Sequence, residues 1–281
     1  MISTRMIGSV TFLYLLCTIL YFIFLAFRSG RMGKLATWAA WISLSVQTAA
    51  ILLRWVESYQ LGFGHAPLSN MYESLVFFSW CIAFLYLLWE WRLKSRVIGA
   101  FAFPFAFIFN AYASLAPGVS AKIDPLIPAL QSNWLHAHVV TCFLSYASFA
   151  LSCAVSVMYL VKLRQQEKGM KEGGLASLFP PLDSLDELVY KTIVVGFPLL
   201  TIGIVTGAAW ANYAWGSYWS WDPKETWSLI TWFVYAVFLH ARVTRDWRGK
   251  RTAILSIIGF GAVIFTYFGV NYLLSGLHSY A

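Results

Sequence analysis

Charge is scarce in this chain. Only 11% of its 281 residues are Asp, Glu, Lys or Arg, whereas 59% are hydrophobic and the mean hydropathy is +0.66. A soluble domain cannot hide that much apolar surface, so an aqueous globular fold is excluded and lipid is the solvent for most of the molecule. Cysteine is equally sparse. The four present (Cys17, Cys81, Cys142, Cys153) all lie in apolar stretches and form no Cys-x-x-Cys pair, which excludes a disulfide framework and thiol–disulfide exchange by this chain. The first apolar stretch follows a short lead, Met1–Met6, and lacks a small-residue cleavage site, so it reads as a retained span. No internal repeat is found.

What is present is a series of apolar runs. Eight stretches approach the roughly 20 residues a membrane helix needs: 7–27, 35–53, 73–91, 97–115, 134–161, 187–209, 225–241 and 252–274. All are expected to be helices, because backbone groups in lipid must pair within their own segment. The net charge of +8 has a one-sided distribution. Alternate connections carry Arg28, Arg31 and Lys34; Arg92, Lys94 and Arg96; Lys162, Arg164, Lys168 and Lys171; and Arg242, Arg245, Arg248, Lys250 and Arg251. Lys191 joins that side, leaving Arg5, Arg54, Lys122 and Lys224 on the other. The positive-inside rule then predicts an all-α integral membrane protein of about eight transmembrane helices in the cytoplasmic (inner) membrane, both termini on the outer, periplasmic side. The charge is an orientation signal and requires no nucleic acid. Residues 1–281 read as one polytopic domain with a cytoplasmic loop over 162–186, where Ser184 and Glu187 are spaced to cap the sixth helix. Gly203 and Gly207 on that helix form a small-xxx-small pair suited to close helix packing.

The outer stretch 210–227 is the most unusual part. It holds Trp210, Tyr213, Trp215, Tyr218, Trp219, Trp221 and Trp227, including the string Trp215-Gly-Ser-Tyr-Trp219-Ser-Trp221-Asp222-Pro-Lys-Glu225-Thr-Trp227. An interfacial belt explains Trp55, Trp89, Trp91 and Trp134 at span ends. Its density here points instead to a stacking surface for a large flat ligand. Asp222, Pro223 and Glu225 suit the first turn of the seventh helix better than acid–base catalysis, and Asn70 with Glu73 suits the third. Histidine numbers only five. His138 and His278 both fall on the outer side and could clamp a haem iron beside the aromatic wall, or be ordinary interfacial histidines. His136, two residues from His138, points to nearly the opposite side of the helix. His240 is expected toward the inner leaflet, where an ionisable group is a functional candidate or a snorkelling neighbour of Arg242. His65, in a Gly-rich loop, reads as solvated. Paired histidines on two spans, as in a two-haem cytochrome b, are missing.

The Trp-rich string resembles the "WWD" signature of haem-handling proteins of cytochrome c maturation, and within them the CcsA/ResC type, also called CcsB. Pro67-Leu-Ser-Asn70-Met-Tyr-Glu73-Ser, His138, Leu239-His240 and Gly276-Leu-His278-Ser-Tyr-Ala carry the likeness across nearly the whole chain. The resemblance implies that haem b is carried to the outer face and presented for covalent attachment to apocytochrome c Cys-x-x-Cys-His motifs. The chain would be the haem-presenting subunit of a cytochrome c synthase (haem lyase) complex, without a catalytic residue of its own. It implies His138 and His278 as axial iron ligands beside Trp215, Trp219, Trp221, Asp222 and Trp227, and His240 as one ligand of an inner site. The expected partners are a ResB/Ccs1-type membrane subunit, apocytochrome c, a thiol-reducing thioredoxin-like protein and membrane lipid. Two other classes fit the composition: a transporter of a small apolar molecule with an aromatic gate, and an aromatic-rich scaffold subunit.

Overall fold

The computed structural model describes residues 1–168 and 175–274. Residues 169–174 of the expected cytoplasmic loop, and the tail carrying His278, lie outside the described residues. The described chain is helical throughout: α1 (Ile2–Phe27), α2 (Gly30–Gln60), α3 (Met71–Leu93), α4 (Gly99–Leu115), α5 (Asn133–Glu167), α6 (Leu182–Trp215), α7 (Pro223–Thr244) and α8 (Lys250–Ile264). A π-helical turn, Phe265–Gly269, continues α8 into the short α9 (Val270–Leu273). Each of the eight apolar stretches falls on a helix. Among the described residues, six helical segments are long and apolar enough to cross a membrane: α1, α2, α3, α5, α6 and α8 taken through α9. The α4 helix has 17 residues, about 25 Å, against a hydrocarbon core of about 30 Å. The α7 helix, which carries Lys224, Glu225, His240 and Arg242, is outside that set of six. The protein is thus a multi-pass, all-helical membrane protein.

The chain divides into two compact units, Met1–Ile127 and Pro128–Ala281. The first is built from α1 to α4. Its interior is aromatic, with Tyr21 stacked on Phe103 and Phe78 on Phe109. A line of polar side chains runs through it, and each finds partners, as burial in lipid demands. The Gln47 amide donates to Val76 O, Ser79 Oγ and Asn110 Oδ1 and accepts from the Tyr14 hydroxyl. Glu90 accepts from Tyr21, Tyr86 and Thr37 and pairs with Arg96 at 3.4 Å. Asn70 caps α3 as expected, and Glu73 forms a buried ion pair with Arg54 at 2.8 Å. His65 departs from the expectation of a solvated loop residue. It is 5% exposed, its Nδ1 lies 3.0 Å from Ala66 O and its Nε2 lies 2.9 Å from Asp124 O, so the ring bridges two loop segments.

In the second unit, α5 and α6 pack along most of their length, and α7 and α8 close against them. At the end of the unit where α6 begins, Asp186 accepts from Arg242 Nη1 (2.5 Å), the Gly249 amide (2.7 Å) and Thr252 Oγ1 (3.0 Å), tying α6 to the α7–α8 turn. The expected Ser184–Glu187 cap does not form. The α6 helix starts earlier, at Leu182 after Pro181, which leaves Ser184 inside the first turn and turns Glu187 toward Lys191 and Arg242. All four cysteines are buried and free.

Candidate functional site

The opposite end of this unit gathers the start of α5, the end of α6, the start of α7 and α9. The α6 helix runs through Trp215 and stops at Gly216, whose φ of 74° supplies the left-handed C-cap that a side chain would strain. Trp210 and Trp215 are therefore helical, and the irregular part of the Trp-rich stretch is only 216–222. That segment is fixed from behind. Asp222 accepts from the Lys224 amide at 2.9 Å, Pro223 occupies the first helical position, and Glu225 completes a capping box. The Glu225 carboxylate also accepts from the Ser220 amide (2.8 Å) and the Asp222 amide (3.2 Å). Both acids thus hold the loop, as expected of them. Trp221 sits at φ 60° and is 68% exposed, a strained conformation for a bulky residue, which the capping box over-determines. Trp219 meets it edge-on at 5.8 Å, and Trp227 packs on Phe265 of the π-helical turn at 4.1 Å.

His138, half-buried in the first turns of α5, faces α6. Its Nδ1 lies 2.7 Å from Gly203 O. A carbonyl oxygen can only accept, so Nδ1 carries the proton and the lone pair of the neutral ring sits on Nε2. The approach depends on α6 glycines. A Cβ on Gly207 would stand 2.6 Å from Nδ1, and one on Gly203 would stand 2.5 Å from Cys142 Sγ. The imidazole stacks with Trp210 at 5.9 Å and 23° between planes, and Trp210 meets Trp215 at 5.0 Å. Trp210 is itself anchored: it is 2% exposed and its indole N–H donates to Ala129 O at 2.7 Å. Close by, Lys224 Nζ donates to Asn271 Oδ1 at 3.0 Å, joining α7 to α9. An oriented imidazole is thus set at the edge of an indole array, with a cation on neighbouring elements.

Residues 68–278 match the pattern of a family described as Cytochrome C assembly protein. The chain belongs to the cytochrome c assembly protein family. Among its relatives, the cytochrome c biogenesis protein CcsA of Pyropia yezoensis is 42% identical, covering 95% of this chain and 93% of its own length. CcsA of Guillardia theta is 42% identical over 97% and 95%, and CcsA of Gloeobacter violaceus 38% over 95% and 92%. The expected CcsA-type resemblance is therefore upheld for the chain, and cytochrome c biogenesis is the process this membrane protein serves. The fold also matches the solved structure of cytochrome c heme lyase CcmF with a TM-score of 0.68 at 18% identity, over 95% of this chain but only 46% of that one.

In this member of the assembly family, His138, Trp210 and Trp215 come together, and Trp219 and Trp221 form a second aromatic pair in the adjoining loop. Asp222 is buried as a helix cap, and Trp227 packs against the end of α8. His240 is elsewhere: it is exposed on α7, thirteen residues beyond Trp227 and thus about 20 Å along the helix. His136 is half-buried on α5. The Gly203 carbonyl, the Trp210 contact and Asn271 were not predicted as parts of the site. The Gly203–Gly207 spacing was visible, but spacing alone reports close packing and not which side chain is accommodated.

Proposed function

We propose that the chain holds haem b at the Trp-rich end of its second unit and presents it for covalent attachment to apocytochrome c. One observation carries this reading: the His138 ring donates through Nδ1 to a helix carbonyl while its face lies against Trp210. Histidines that ligate metals almost always give their other ring N–H to a carbonyl or carboxylate, which fixes the ring and raises the basicity of the ligating nitrogen. His138 would ligate iron through Nε2, and Trp215, Trp219, Trp221 and Trp227 would supply apolar faces to the porphyrin. His278 is the second axial ligand in this reading. It lies four positions beyond Leu274 in the sequence, a span of at most about 14 Å, and Asn271 contacts Lys224 at the start of α7.

Attachment adds each apocytochrome thiol S–H across a haem vinyl group. A C–S bond forms at one vinyl carbon, the proton goes to the other, and no net oxidation occurs. The chain's contribution is positioning, since two reactants held in register react as one. Release follows when the histidine of the incoming Cys-x-x-Cys-His motif displaces one axial imidazole. The clustering of basic side chains at the opposite helix ends supports an outward-facing Trp-rich end, eight spans and outer termini. His240, exposed on α7, suits a ligand shared with a ResB/Ccs1-type membrane subunit at an inner site, from which haem would be passed outward. A thioredoxin-like protein would keep the acceptor thiols reduced. In cells dependent on this chain, His138→Ala should lower the yield of c-type cytochromes by at least about tenfold. Added imidazole should restore part of it by filling the vacated coordination position. Undiminished yield, or a loss that imidazole does not correct, contradicts the assignment.

A further inference from the structure

Haem carries two propionates, and a carboxylate taken into an apolar site needs a cation to meet it. We propose that Lys224 receives a propionate of haem held at the Trp-rich end, an assignment that rests on the haem reading above. Of the basic residues that the charge pattern groups with the Trp-rich stretch, Arg5 is exposed on α1 and Arg54 is already committed to Glu73 through Nε at 2.8 Å, both within the first unit. Lys122 is largely exposed and paired with Asp124 at 2.9 Å. Among the described residues of the second unit, Lys224 is the one Lys or Arg at the Trp-loop end. The others lie where α5 ends and α6 begins, or where α7 ends and α8 begins.

Its placement is built rather than incidental. The Lys224 backbone is set by the Asp222 cap, immediately after the strained Trp221. Its amine is drawn to Asn271, whose own Nδ2 donates to Tyr267 O at 2.7 Å, so the amide is held with Oδ1 toward the lysine. The Asp222 carboxylate and Cys142 both lie within electrostatic reach of the amine, and the Cys142 sulfur is 3.6 Å from His138 Nδ1, so an incoming propionate would share the lysine with the cap of its own helix. The ammonium therefore sits among α5, α7 and α9, near the helix turn that carries His138 and at the end of the Trp loop. It is half-buried, so an incoming carboxylate meets a charge that water screens only in part.

The test uses the full chain in lipid nanodiscs, titrated with iron protoporphyrin IX and with its dimethyl ester while the Soret band is followed. The wild-type protein should prefer the free acid by on the order of tenfold, the worth of one charge-assisted contact. Lys224→Met should erase the preference by weakening binding of the acid while leaving the ester unchanged, and Lys224→Arg should retain it. A preference that survives in Lys224→Met, or an equal loss for both porphyrins, overturns the assignment and leaves Lys224 as a brace between α7 and α9. If the wild-type protein binds neither porphyrin, the haem reading itself fails, and this inference with it.

Discussion

The orientation of His138 is set by two residues that have no side chain. Gly207 leaves room for the imidazole, and Gly203 both clears Cys142 and offers the carbonyl that takes the Nδ1 proton. A methyl group at position 207 would stand 2.6 Å from Nδ1 and 2.8 Å from Cε1, so the ring must turn or the helices must part. Overpacking of this kind costs about 1–3 kcal/mol, and loss of a partner that orients a metal ligand costs about 10–100-fold in affinity. Gly207→Ala is therefore expected to weaken haem retention about tenfold or more, read as loss of the Soret band on dilution, while the helical circular dichroism of the protein persists. Retention equal to wild type would show that the cradle is unimportant. Residue roles were legible in the sequence where the rule is local: Asp222, Glu225 and Asn70 cap their helices because the donors they satisfy are two or three positions away. They were not legible where the partner is distant. The ring of His65 is held by Asp124 O, fifty-nine positions on, and no pattern around a Gly-rich loop announces that contact.

At the scale of elements, hydropathy located every long helix but not its ends. The α2 helix covers 31 residues, about 46 Å, against the apolar stretch 35–53, because its polar ends extend past what a hydrocarbon core requires. The α5 helix likewise runs on to Glu167. The extent of α6 matters most to the site. After Gly207 the chain meets no glycine or proline until Gly216, so the Trp-rich stretch expected as loop from 210 remains helical through Trp215. Only as a helical residue can Trp210 keep its fixed spacing from Gly203 and Gly207 and stack on the histidine that they accommodate. The Ser184–Glu187 spacing misled because a capping box presupposes the starting point of the helix, and Pro181 sets it three residues earlier. The π-helical turn at Phe265–Gly269 is a matter of packing, where Phe265 meets Trp227 and Thr266 bonds to Thr231, and carries no local sequence signature.

For the whole molecule, the distribution of charge predicts an orientation, and in the second unit every described Lys and Arg except Lys224 lies toward the helix ends away from the Trp-rich loop. That segregation gives the orientation a direct check. The four native cysteines are buried and should react little with an impermeant maleimide. In intact cells, Tyr218→Cys in the exposed Trp-rich loop should be labelled from outside, whereas Arg248→Cys between α7 and α8 should be labelled only after permeabilisation. The reverse pattern would invert the molecule and place the proposed haem end in the cytoplasm. The division into two compact units was not readable from hydropathy, which sees each helix singly, although the boundary falls in the Pro-bearing connection between α4 and α5.

The absorption spectrum of the purified chain, loaded with iron protoporphyrin IX in its wild-type and His138→Ala forms, tests the central claim most directly. Wild-type protein is expected to show the Soret and α/β bands of histidine-ligated low-spin haem, and the variant to lose them and regain them on addition of imidazole. Identical spectra from the two proteins would contradict the assignment of His138 as an iron ligand, and with it the account of the Trp-rich end as the place where haem is held.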